Sequence, residues 1–239
     1  MRIKKPIKRS EIRSVIYTEE RWKLLKELRE KAISIMSILE KEQIPCIVHG
    51  SVARGDVNPD SDIDIFIPLL VPPYKVELSL ERHGLEPIKR EIVQATPWHV
   101  IKAHIYLDEQ TVITFPLTHM TRIEREFYKF GGELTLEELK QGKRVPGVDK
   151  RLMLIYPRPY GHDEYSIIGM ESEVARILGV SLDIVREREY VLLRRDEIGR
   201  TGVFIRRELA PNESFESVLE ELSRKHVLVR KKLRELGLV

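Results

Sequence analysis

Residues 49–67 read HGSVARGDVNPDSDIDIFI. A short apolar run, Ile44 to Val48, leads into Gly50-Ser51, and two aspartates follow, Asp62 and Asp64, separated by one isoleucine. In a strand, residues i and i+2 point to the same face, so Asp62 and Asp64 share one side while Ile63, Ile65 and Ile67 face a core. Aspartate is depleted in strands, so two in one short apolar strand need a reason. A divalent metal held by oxygen ligands is the usual one. A Gly-Ser turn opening a helix offers backbone N–H groups and a hydroxyl to a phosphate. Phosphate cradle plus metal carboxylates is the outline of a phosphoryl-transfer site. The competing reading is a hairpin with a glycine turn and a solvated aspartate pair.

This stretch resembles the signature of the polymerase-beta-like nucleotidyltransferase superfamily: a strand, Gly-Ser, then Asp-x-Asp on the next strand. Within it, the wording is most similar to archaeal CCA-adding enzymes and minimal nucleotidyltransferases. The resemblance covers roughly residues 44–118. It implies that Gly50 and Ser51 bind the triphosphate, that Arg54 supports the phosphate loop, and that Asp62 and Asp64 bind two magnesium (or manganese) ions, with an NTP as substrate. The superfamily usually carries a third acid on a later strand. The matching run here is Thr111 to Pro116, and the slot holds Thr114. Three readings follow: an acid from elsewhere, with Asp108, Glu109 or Glu91 nearest; a slow one-metal site; or nucleotide binding without catalysis. Lys102 and His104, taken with Trp98 as one face of the preceding strand, are either a phosphate or base contact or a polar, exposed sheet face, and so is His99.

The chain has 239 residues, a formal net charge of +3 and one cysteine, Cys46. That length suits one large or two modest domains. A single cysteine in an apolar strand reads as a buried inert thiol, which fits a reducing, cytoplasmic location. No run approaches the ~20 apolar residues of a membrane span. The N-terminus is basic but has no apolar h-region and is not read as a secretory signal. With so small a net charge, nucleic-acid affinity has to come from local clustering.

Along the chain, Thr18 to Glu42 reads as a long amphipathic helix, with Trp22, Leu25, Leu28, Ala32, Ile35, Met36 and Leu39 at helical spacing. Residues 62–67, 87–94, 98–107 and 110–117 read as strands, with a tight turn at Asp108-Glu109. Residues 143–162 read as a Pro- and Gly-punctuated basic connector with one apolar strand-like run, Leu152 to Tyr156, holding Lys143, Arg144, Lys150, Arg151, Arg158 and His162. Residues 166–207 resemble a winged helix-turn-helix: two helices joined through Gly179, Ser181 as N-cap, then a hairpin with Gly199 and Gly202 near its tip. On that reading Arg194, Arg195, Arg200, Arg206 and Arg207 cluster on the wing and contact phosphates. One C-terminal helix follows Pro211.

The fold expected is α/β (α+β): a nucleotidyltransferase fold with a small mixed sheet, then a winged helix-turn-helix and a terminal helix. The expected divisions are an N-terminal arm and helix over 1–43, the nucleotidyltransferase domain over 44–120, a helical and basic connector over 121–158, the winged helix-turn-helix over 159–208 and the last helix over 209–239. The expected function is metal-dependent transfer of an NMP from NTP to a hydroxyl acceptor, an RNA, a DNA or another macromolecule. One alternative is a catalytically impaired, nucleotide-sensing regulator that binds nucleic acid. Another is a transferase acting on a small molecule or a protein.

Overall fold

The structure, a computed structural model, describes residues 5–7, 11–199 and 202–238. The chain forms two compact units, each assembled from three stretches: residues 1–33, 48–63 and 125–201 in the first, and 34–47, 64–124 and 202–239 in the second.

In the first unit, β1 (Arg13–Ile16) joins β8 (Gly147–Val148), β9 (Met153–Arg158) and β10 (Gly161–Ser166) in a sheet of order β1-β10-β9-β8. Its paired strands are antiparallel, with Val15 opposite His162 and Leu154 opposite Tyr165. The basic stretch thus holds β8, β9 and the start of β10, and the strand-like run Leu152 to Tyr156 falls largely on β9. Asp149 and Glu164 take up Arg151 at 2.6 Å each, and Asp163 takes up Arg158 at 2.6 Å. Asp149 is two residues from Arg151, whereas Glu164 and Asp163 reach their arginines through the β9–β10 pairing.

α6 (Glu171–Leu178) and α7 (Leu182–Ile198) form the expected helix pair. Gly179 takes the left-handed conformation between them, and the Ser181 hydroxyl accepts from the Ile184 N–H. The wing is not formed as expected. Arg194 to Ile198 continue α7, and the following strand, β11 (Ile205–Glu208), pairs antiparallel with β4 (Lys89–Gln94) of the second unit's sheet, Ile205 opposite Gln94. Good helix formers carry α7 past the hairpin position until Gly199 stops it.

The second unit holds the strand order β11-β4-β5-β6-β3, with β5 (Lys102–Asp108), β6 (Thr111–Pro116) and β3 (Ile63–Phe66) beside β4. Ile65, Phe66, Ile92, Ile105, Ile113 and Phe115 are fully or almost fully buried in it. α8 (Phe215–Lys225) docks Phe215 edge-on to Phe115, ring centroids 5.7 Å apart. The single C-terminal helix expected is two, α8 and α9 (Val227–Glu235), because His226 adopts extended backbone between them. The long helix predicted from Thr18 is α1 (Glu19–Lys41), which contributes to both units. β5 begins only at Lys102, so Trp98 lies in the preceding loop and not on a face with Lys102 and His104. Among the described residues, no helix is long and apolar enough to cross a membrane.

Candidate nucleotide-transfer site

The segment that opens with Gly50 is held from several sides. Gly50 has φ 78° and ψ −144°, a conformation open chiefly to glycine, and it turns the chain from β2 (Ile47–His49) into the short α2 (Ser51–Arg54). Its N–H donates to the Gly132 carbonyl at 2.9 Å, so that amide is already used and the contribution of Gly50 is the turn itself. Ser51 is half-buried, and its hydroxyl has no hydrogen-bond partner among the described residues. Arg54, expected to support the loop, turns its guanidinium to protein partners. It is buried, donates through Nε and Nη2 to both oxygens of Asp56 at 2.9 and 3.1 Å, and ties the Gly131 carbonyl at 2.6 Å.

The strongest brace was not singled out in the sequence. Arg29 lies on α1 and is buried. It donates to the carbonyls of Val52 at 3.0 Å, Ala53 at 3.0 Å and Lys143 at 2.7 Å. Among the described residues no carboxylate bridges it. Burial, and then the nearby charge of Arg144, push its pKa down to about 10. Arg144 itself donates to the carbonyls of Gly161 and Arg158, and its guanidinium lies 4.9 Å from the Trp22 ring centroid. Two desolvated guanidiniums close enough to repel, bonded to carbonyl oxygens, leave positive potential behind α2. The signal was present: Leu25, Arg29, Ala32, Met36 and Leu39 fall at 4-3-4-3 spacing, and Arg29 is the charged member of an otherwise buried apolar stripe.

Burial alternates along residues 61–65. Ser61, Ile63 and Ile65 are buried, while Asp62 and Asp64 are half-buried, as a period-two segment requires. Asp62 immediately precedes β3 and Asp64 lies within it.

In the second unit, β5 and β6 place His104 opposite Thr114, and His104 Nδ1 and Thr114 Oγ1 are 2.9 Å apart. The Ile67 N–H donates to the Thr114 carbonyl, which fixes the end of β3 against β6. Burial pushes the His104 pKa down to about 4. Lys102 and Arg206 add to that fall, and Glu91 and Asp64 oppose it. His104 is therefore a neutral ring at neutral pH.

None of the three substitute acids suits a metal shared with Asp64. Glu91 is 2% exposed and accepts from Tyr106 at 2.8 Å, Lys89 at 2.7 Å and Arg206 at 3.1 Å. Burial raises its pKa, but those three partners outweigh burial and hold it below the usual range. It also sits three strand positions from β3, about 14 Å at ordinary strand spacing. Asp108 is at the far end of β5 from His104, about 13 Å along the strand, and Glu109 is in the exposed turn beyond it. Among the described residues no group of three or more His, Cys, Asp or Glu side chains is placed to hold a metal ion. The donors suit one hard cation completed by water and phosphate oxygens, which magnesium accepts from one or two carboxylates. They do not suit a three-carboxylate cage for two ions.

The arginines assigned to a wing fall on different elements. Arg194 and Arg195 are exposed on α7 in the first unit, Arg206 is on β11 bound to Glu91, and Arg200 lies outside the described residues. Arg207 is paired with Glu213 at 2.6 Å.

Residues 23–129 match the family model described as a nucleotidyltransferase domain. No curated protein matches the chain. A solved structure of a cytoplasmic RNA terminal U-transferase is similar at 16% identity with a TM-score of 0.34, over 53% of this chain and 36% of that one. This chain thus spans about a third of that protein's length.

Proposed function

We propose that the protein transfers a nucleotidyl group from an NTP to a hydroxyl acceptor on a nucleic acid. The observation that carries this reading is a pair of guanidiniums, buried Arg29 and half-buried Arg144, set without carboxylates behind a glycine turn that presents the Ser51 hydroxyl. An anion is the missing complement of that arrangement, and a triphosphate supplies several charges. The match of residues 23–129 to nucleotidyltransferase domains supports the same reading.

Asp62 and Asp64 would hold one magnesium ion, which when bound neutralises phosphate charge and orients the α-phosphate. Gly50 sets the turn, Ser51 donates to a phosphate oxygen, and Arg54 with Asp56 keeps the turn rigid. Rigidity here has a chemical purpose: donors fixed before the reaction need no reorganisation as charge develops. His104 and Thr114 form a neutral polar pair on the β5–β6 face. The acceptor oxygen attacks phosphorus, the bond to the pyrophosphate oxygen breaks, and the acceptor proton passes to solvent or a neighbouring base.

Thr114 favours a second reading, a nucleotide sensor with slow or absent turnover. The two are separated by incubating the pure protein with each labelled NTP, magnesium or manganese, and RNA and DNA pools, beside an Asp62→Ala/Asp64→Ala double variant. The expected result is label transfer that the double variant reduces by at least ~1,000-fold, since such groups act as a unit. Metal-dependent nucleotide binding with no transfer to any acceptor would establish the sensor instead.

A further inference from the structure

The loop between β4 and β5 exposes a tryptophan on a rigid mount. Trp98 is 75% exposed. The carbonyls on either side of it are fixed from below: Gln94, 0% exposed, donates its Nε2 to Pro97 O at 3.0 Å and to His99 O at 2.9 Å. The Val100 N–H donates to Glu124 at 2.7 Å, and Lys232 Nζ on α9 donates to the Trp98 carbonyl at 3.1 Å. A buried glutamine spent on two loop carbonyls shows that the loop's shape is built, and what it presents to water is an indole.

Around it lies a patch that a folded chain would ordinarily cover. The Phe204 N–H donates to Ala95 O, and the Phe204 ring packs edge-on to His226 at 5.3 Å. Val203 and Val227 are exposed nearby in sequence to that pair. The same helix that reaches Trp98 is cationic: α9 carries Arg230, Lys231, Lys232 and Arg234 against Glu235. Lys231 and Arg234, three residues apart, are both exposed on it. The acid beside the loop, Glu124, is occupied by the Val100 and Thr121 amides.

We propose that Trp98, with Phe204 and the exposed cations of α9, is a docking platform for single-stranded nucleic acid. Exposed aromatic faces next to lysine and arginine are the combination that single strands use: bases stack on the rings and phosphates meet the cations, without sequence readout. The fixed loop means little ordering cost on binding. A duplex keeps its bases stacked inside and gains nothing from Trp98. The platform rests on the proposed function, for it would be where the acceptor strand is held.

The test is binding of a fluorescein-labelled 12-nucleotide single-stranded RNA to the full chain by anisotropy, without NTP or metal, over a salt series. The matching DNA strand and an RNA duplex form parallel arms. Trp98→Ala should weaken single-strand binding roughly tenfold, Trp98→Phe should restore most of it, and neither should change duplex binding. Lys231→Glu/Arg234→Glu should weaken binding and reduce the salt slope by about 1 to 2. Equal affinity of Trp98→Ala and wild type for both single strands would overturn the proposal. So would a Trp98→Ala variant that instead shifts sedimentation from dimer to monomer, which would make the patch a contact between copies. Because the assay needs no turnover, Asp62→Ala/Asp64→Ala should bind the RNA as wild type does. Failed transfer with intact, Trp98-dependent binding would therefore count against the transfer reading and not against the platform.

Discussion

The turn at Gly50–Gly55 and the strand face around Thr114 are built by opposite means. Around the turn, Arg29 is bonded only to backbone carbonyls, those of Val52, Ala53 and Lys143, while Arg54 divides its donors between Asp56 and the Gly131 carbonyl. On the strand face, polarity is closed side chain to side chain: His104 with Thr114, and Glu91 with Tyr106, Lys89 and Arg206. The first arrangement leaves surplus positive charge, and the second leaves a neutral pair plus a satisfied carboxylate. On the proposed function, the turn that would receive the triphosphate keeps the charge of Arg29 without a carboxylate, whereas the strand face pairs its charges internally.

The contrast breaks most sharply at Arg29. Arg29→Met should cost about 3–5 kcal/mol in urea unfolding, because two buried carbonyls and one part-buried carbonyl lose a charged donor together. A loss below about 1 kcal/mol would mean that the carbonyls find other donors and that Arg29 is not the brace. A smaller effect is expected at His104. Its folded pKa is held near 4 against an ordinary 6.5, so between those values the unfolded chain binds more protons. Stability from this group is full above about pH 6.5 and falls as pH drops towards 4, by at most about 3 kcal/mol. Unfolding of His104→Gln followed from pH 7 to pH 4 should show a flatter decline than wild type. Parallel curves would show that the ring is solvated after all. The smallest effect sharpens the comparison by adding the acid. Thr114→Asp should bind magnesium about tenfold more tightly than wild type, a gain of ~1.4 kcal/mol read as a larger magnesium-induced rise in Tm. An identical magnesium response in the two proteins would place Thr114 away from the ion.

Much of the core was legible because its pattern is local. Alternation in Ile63–Phe66, the helical stripe of α1 and the glycine stop after α7 each depend on residues a few positions apart. The wing failed for the converse reason. Whether Ile205–Glu208 pairs with a neighbouring strand or with Lys89–Gln94, more than a hundred residues earlier, is not written in its own sequence. Within the basic stretch the ion pairs were hidden in the same way: Arg151 meets Glu164 only because β10 pairs with β9.

The sequence by itself determined the Gly-Ser turn and the paired aspartates, because backbone preference and side-chain period act over a few residues; that Thr114 stands in an acid's slot is what the family resemblance implies. Tertiary structure alone decided that Arg29 and Arg144 keep their charge uncompensated, that Glu91 is saturated and out of reach, and that Trp98 is held out into solvent by Gln94 and Lys232. Charge compensation and exposure belong to neighbours in space, and those neighbours come from distant parts of the chain.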